Sequence, residues 1–236
     1  MSNTLILAIE TSTPICSVSI FNNTEVIASI EGSEPNMHAT ALTVFIQKVL
    51  EQSNINKSDL QAISVSMGPG SYTGLRIGVS VAKGLCYALN IPLIAINTLD
   101  AIVAGYTSQN ADLAENALLC PMIDARRQEV YTGFYKFDGE NIESTKALIV
   151  DQDSFNQYVE SGYQVKLFGS GADKFQELFK ESSVVNITPE FNTKASFQHQ
   201  IAVEKYKNNN FEDVAYFEPY YLKDFIVTTS KKNPLL

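Results

Sequence analysis

Few side chains in this 236-residue chain are spaced for chemistry, and most of them fall in one stretch. "SVSMGPGSYTGLRIGVSVAKGL" (64–85) sets five glycines and a proline between an apolar run and a helical pattern. Glycines after a strand and before a helix often cradle phosphate. A P-loop needs G-x-x-x-x-G-K-[ST], but here the next lysine, Lys83, comes ten residues after Thr73. The G-x-G-x-x-G fingerprint fails too, because Gly68, Gly70 and Gly74 are spaced G-x-G-x-x-x-G. Pro69-Gly70 has the form of a type II turn, with Gly70 supplying the positive φ. Gly68, Gly70 and the hydroxyls of Ser71 and Thr73, with the free N–H groups of a first helical turn, form a candidate nucleotide or anion site. The same residues serve equally as a tight turn and a helix cap, and the local pattern leaves both open. Further on, Gly74, Gly78 and Ala82 recur every four residues and put small side chains on one helix face. Mid-helix glycine costs about 1 kcal/mol relative to alanine, so two of them ask for close contact with another backbone. That backbone belongs to the same domain or to another chain; we expect an interface through Gly74, Gly78 and Ala82.

The remaining inventory is thin. There are two histidines, and His38 has Leu42 at i+4, where a metal-binding H-x-x-x-H needs a second histidine. "ETST" (10–13) closes an apolar run with one carboxylate and three hydroxyls, which suits a polar hairpin turn or a phosphate neighbour. "DARRQE" (124–129) sets Asp124 and Arg126 at a second hairpin, by default a solvated turn. No Ser/His/Asp or Cys/His arrangement follows from spacing, so no catalytic residue, metal ligand or cofactor is assigned. Cys16, Cys86 and Cys120 lie far apart in apolar sequence and read as buried free thiols.

These residues must be positioned by strands and helices that the apolar periods predict. "LILAIE" (5–10), "CSVSIF" (16–21) and "EVIASIE" (25–31) read as a strand meander. Apolar residues from His38 to Leu50 follow the helical period. "AISVSM" (62–67) is a fourth strand, Thr73 caps a helix running to about Leu89, "PLIAI" (92–96) is a fifth strand, and Thr98 caps a third helix. The order βββαβαβα predicts a mixed sheet with helices against it. After the polar run "QNADLAEN" (109–116), two strands flank a turn at 125–128, with further strands at 147–150, 164–169 and 183–187. Helices are expected over 153–161, 171–181 and 195–207. The chain thus divides at 108/109 into an N-terminal subdomain (1–108) and a smaller C-terminal one (109–236), whose last helix or tail packs back on the first. No internal repeat is visible in the residues, and the tail "SKKNPLL" is expected to lack order.

Net charge of −9 argues against autonomous nucleic-acid binding, which draws its affinity from Lys and Arg. The opening segment lacks a basic n-region, and no apolar stretch approaches the ~20 residues of a membrane span. A cytoplasmic protein is expected.

"ILAIETSTPICSVSIF", "SMGPGSYTGLRIGVSVAKGL" with "PLIAINTLDAI" after it, and "MIDARRQEVYTGFY" together resemble the TsaB (YeaZ) family. The match follows the family in order and spacing over the first ~135 residues, and "EPYYLK" (218–223) resembles its C-terminal segment. The resemblance implies an α/β, actin/Hsp70-like ATPase (ribonuclease H-like) fold in two subdomains, with mixed sheets flanked by helices. It implies a non-catalytic subunit supporting TsaD in making threonylcarbamoyladenosine next to the tRNA anticodon. The implied partners are TsaD in a heterodimer and TsaE in a ternary complex, with a homodimer when alone and tRNA met only through the complex. It also places Thr98 and Ile102 where a TsaD chain carries metal-binding histidines. An autonomous ATPase or phosphotransferase is the alternative, opposed by the missing Walker lysine and by "ETST" where the fold's first phosphate loop has D-x-G-T. A peptidase reading finds no nucleophile dyad.

Overall fold

A computed structural model describes residues 4–23, 25–34 and 37–223. The first half forms β1 (Leu5–Glu10), β2 (Cys16–Asn22), β3 (Glu25–Gly32), α1 (His38–Ser53), β4 (Ala62–Gly68), α2 (Tyr72–Leu89), β5 (Leu93–Asn97) and α3 (Thr98–Gln109). The second forms β6 (Ala117–Asp124), β7 (Glu129–Lys136), β8 (Asn141–Ile149), α4 (Asn156–Glu160), β9 (Gln164–Phe168), α5 (Gln176–Phe179), β10 (Val185–Thr188) and α6 (His199–Lys207). The expected tail 230–236 lies outside the described residues. No described helix is long and apolar enough to cross a membrane.

The sheets run β3-β2-β1-β4-β5 and β10-β9-β6-β7-β8. In each, two hairpin-linked antiparallel pairs are followed by two parallel pairs added to the first strand's other edge. Each sheet therefore reads 3-2-1-4-5 with its second strand reversed. This is one mixed unit used twice, in the manner of the actin/Hsp70-like (ribonuclease H-like) class. The repeat invisible in the residues is carried by strand pairing.

Apolar burial explains the layers. α1 and α2 cover one face of the first sheet over Leu7, Ile9, Val18 and Val65, with Val79 of α2 in the same cluster. Its other face, with Ile6, Ala8 and Ile94, is covered by Ala195, Ala202 and Val203 from the second half. In exchange, α3 sends Leu99, Ile102, Val103 and Tyr106 against Leu119, Phe168 and Phe191 of the second. Tyr106 stacks on Phe168 at 3.8 Å between ring centres. The two lobes thus close each other's cores.

Several boundaries differ from expectation for local reasons. α2 is capped by Ser71, whose Oγ accepts from Gly74 N–H at 3.3 Å, and not by Thr73. Asn97, not Thr98, caps α3 by accepting from Leu99 N–H at 2.8 Å. β8 is longer than expected, while the helices expected at 153–161 and 171–181 shrink to α4 and to a 3-10 turn followed by α5.

The turn after β4 is also corrected. Its positive φ lies at Gly68 (+119°), beside a cis Gly68–Pro69 bond, and Gly70 is not in that region. Gly70 is needed for space, since a Cβ there would strike the Ser12 carbonyl. The small-residue face of α2 is corrected as well. Gly74, Gly78 and Ala82 are buried within the chain, so no other chain meets them. A Cβ on Gly74 would run into the Thr11 carbonyl oxygen, and one on Gly78 into Thr11 Oγ1. The close backbone is the end of β1.

Candidate functional site

Because each lobe repeats one strand plan, equivalent strand ends meet in a cleft of about 620 Å³ between them. From the first lobe come Ser12 and Thr13 after β1, and Gly70, Ser71 and Thr73 before α2; from the second come Asp124 and Arg126 after β6, and Ser170 after β9. Ser71 N–H donates to the Ser12 carbonyl at 2.6 Å, tying the two first-lobe loops together. Gly68 does not join the cleft lining; it is buried beneath Tyr220. Of the four residues expected to contact an anion, three therefore converge.

The cleft's charges are largely spoken for. Asp124 is paired with Lys174 at 2.6 Å, and Glu129 with Lys223 at 2.5 Å. Arg126, at φ +74°, lines the cleft; its backbone N–H donates to Asp124 Oδ1 at 2.9 Å, while its guanidinium has no ion pair among the described residues. Glu10, the carboxylate of "ETST", is withdrawn from the cleft and fully buried. It accepts from Ser12 N–H (2.7 Å), Ser12 Oγ (2.5 Å), Ser66 Oγ and Thr193 Oγ1 (3.3 Å). Burial raises its pKa above 4.5, with those donors pulling the other way. Beside it, Gln198 bonds to the Ile9 carbonyl and to Ser66 and Ser64, joining residues 193–198 to the first sheet.

Other candidates are structural. The His38 ring contacts the Thr13 carbonyl at 2.9 Å, and the His199 ring contacts Ser196 carbonyl at 2.7 Å. The three cysteines are free and buried, and burial pushes Cys16 up to about 11 and Cys86 to about 12. Thr98 and Ile102 are buried at the start of α3, and the Thr98 hydroxyl has no hydrogen-bond partner among the described residues. Among the described residues no group of three or more His, Cys, Asp or Glu could hold a metal ion.

A second concavity, of about 670 Å³, lies on the outer side of α1 and α2, floored by Ile46, Leu50, Ile55, Val81 and Leu85. The residue reading missed it, although Ile77, Val81 and Leu85 repeat every four residues just as Gly74, Gly78 and Ala82 do. It also missed the segment Tyr220–Lys223, which completes the cleft wall from the far end of the chain.

A doubled 3-2-1-4-5 sheet with converging turns at the interlobe cleft defines a protein of the actin-like class. The family model described as TsaD, tRNA N6-adenosine threonylcarbamoyltransferase, matches residues 15–229. The tRNA threonylcarbamoyladenosine biosynthesis protein TsaB of Escherichia coli is 31% identical, over 93% of this chain and 94% of that protein. The Bacillus subtilis TsaB is 35% identical over 58% of each chain. The crystal structure of YeaZ from Pseudomonas aeruginosa superposes with a TM-score of 0.75 at 25% identity, covering 93% of this chain and all of the other. The chain belongs to the TsaB (YeaZ) family of tRNA threonylcarbamoyladenosine biosynthesis proteins.

Proposed function

We propose that this chain is the non-catalytic companion of a TsaD-type transferase, acting in a complex that also includes TsaE. The observation that carries this reading is the start of α3. Thr98 and Ile102 occupy the positions that the resemblance gives to a transferase's metal-binding histidines, and they are 0% and 1% exposed. A lone hydroxyl and an isoleucine supply no set of metal ligands. Glu10 supports the same reading, because its carboxylate is satisfied inside the protein and does not face the cleft.

The surface offered to the transferase is the outer groove of α1 and α2, not the glycine face. A family model described as TsaD aligns along 15–229, so a transferase chain has a counterpart of this helix pair. Two equivalent helix pairs, each with an apolar floor and a polar rim (Thr43, Gln47, Glu51, Asn54, Asn56 and Lys57 here), bury each other about a local twofold axis. The same face supports a homodimer when the chain is alone. Net charge of −9 leaves the tRNA backbone to the partner, and tRNA modification places the complex in the cytoplasm. Gly70, Ser71 and Thr73 stay a candidate anion contact. Around them Asp124 and Glu129 offset Arg126 and Lys223, so the cleft has little net field to draw in a polyphosphate.

The test is reconstitution of transfer to tRNA from purified subunits, each omitted in turn. The isolated chain should neither modify tRNA nor hydrolyse ATP, and the transferase should need it. Modification by this chain alone would overturn the reading.

A further inference from the structure

We propose that residues 219–223 form a strap that closes the cleft between the lobes and detaches from it as a unit. The chain first runs along one flank of α2, where Lys83 Nζ donates to the carbonyls of Ala215 (3.2 Å) and Phe217 (2.9 Å). Val214 and Phe217 pack against the first lobe's core and anchor this stretch. Tyr220 N–H then donates to the Met67 carbonyl at 2.7 Å. The Tyr220 carbonyl oxygen fills the space where a Cβ on residue 68 would stand, so Gly68 is the seat of the strap.

Beyond the seat, Tyr221 packs on Tyr72 with ring centres 4.8 Å apart, and its hydroxyl accepts from Arg76 Nε at 3.1 Å. The Arg76 guanidinium lies 4.2 Å from the Tyr72 ring centre. Lys223 crosses to the second lobe and pairs with Glu129 at 2.5 Å. Tyr72, Arg76 and Lys83 are spaced four and seven residues apart, a third stripe of α2 given over to the strap. Residues 220–223 bury no side chain fully; one backbone hydrogen bond seats Tyr220, and the side-chain fastenings beyond it (a hydrogen bond, ring packing and an ion pair) lie at the surface, where each holds weakly by itself. Segments so held open locally at low cost while the core stays folded. Opening from Glu218–Pro219 removes one wall of the cleft, opposite the half-buried Ser170, and leaves the anchored stretch in place.

The full chain contains no tryptophan, so Leu222→Trp makes a single fluorescent reporter on the strap and leaves the Tyr221 contacts intact. In that background Arg76→Ser with Lys223→Glu removes two fastenings at exposed or half-exposed positions. Acrylamide quenching of the tryptophan should rise several-fold as the strap is released. The cleft is read separately by alkylation of Ser170→Cys, the three native cysteines being buried. Its rate should increase about tenfold on release of the strap, as the open state becomes populated. Gly68→Ala reaches the same end from the seat. Unchanged quenching in both release variants would overturn the fastenings, and a released tryptophan with unchanged alkylation would overturn the closure.

Discussion

The two lobes share one strand plan and differ in what covers it. In the first, α1 and α2 run 16 and 18 residues; in the second, the counterparts α4 and α5 have 5 and 4. A long helix can bury one stripe on its sheet and still present another. α2 does this three times over, with Gly74/Gly78/Ala82 inward, Val81/Leu85 toward the groove and Tyr72/Arg76/Lys83 under the strap. The short helices have no surface to spare, and Phe155, Phe175 and Phe179 all go into their own core. The two frames are alike in strand order, and only the first carries helices long enough for the association proposed above. The turns diverged too, hydroxyls after β1 facing charges after β6 across the cleft.

The largest expected effect comes from filling the inward stripe. Gly78→Leu has no room against Thr11, and overpacking a close approach costs about 3 kcal/mol. For a chain of this size that is a fall in melting temperature of roughly 6 to 12 °C. A variant that melts like the parent would show that the stripe does not pack on β1. Next is the cross-lobe tie. Gln198→Ala removes hydrogen bonds to Ile9, Ser64 and Ser66 and should cost about 2 to 3 kcal/mol in denaturant unfolding. A loss below 1 kcal/mol would mean that this tie adds little to the apolar contacts and the other hydrogen bonds between the lobes.

A smaller effect depends on pH. Burial holds Glu10 above 4.5 in the folded state, so that state binds the proton more tightly than the unfolded chain. Its contribution is full below pH 4.5 and is lost as pH rises through the raised value, with a slope of at most about 1.4 kcal/mol per pH unit. Glu10→Gln should flatten stability measured against pH over that window; an unchanged slope would assign it to other groups. Smallest is Gly84→Ala on the same helix as Gly78. Nothing lies within 4 Å of a Cβ there, so the change should stabilise by up to about 1 kcal/mol. A loss of stability would mean that this flank of α2 is also covered.

Much of the first lobe was legible because its elements are long and strictly periodic. β1 to β5 and α1 to α3 fall within a few residues of the apolar pattern. The pattern could not say which way α2's small face points, since two stripes with the same four-residue period lie side by side. Nor could it choose between Gly68 and Gly70 for the positive φ, or foresee that the Tyr220 carbonyl, some 150 residues away, sits where a Cβ on Gly68 would stand. The cleft was half legible. "ETST", "GSYT" and "DARR" each read as polar turns, but only strand order brings them together. In the second lobe, short helices carry too few turns for a period to show.

The outer groove of the first lobe is the proposed docking surface for a TsaD-type transferase. Leu85→Glu places a charge on the floor of that groove without touching the inward stripe. The direct measurement is a binding titration of this variant against the transferase of the same organism, with melting recorded alongside. The account predicts melting within a few degrees of the parent, and pairing weakened about 30-fold or more, the usual cost of about 2 kcal/mol at an interface core. A folded Leu85→Glu variant that pairs as tightly as the parent would contradict it.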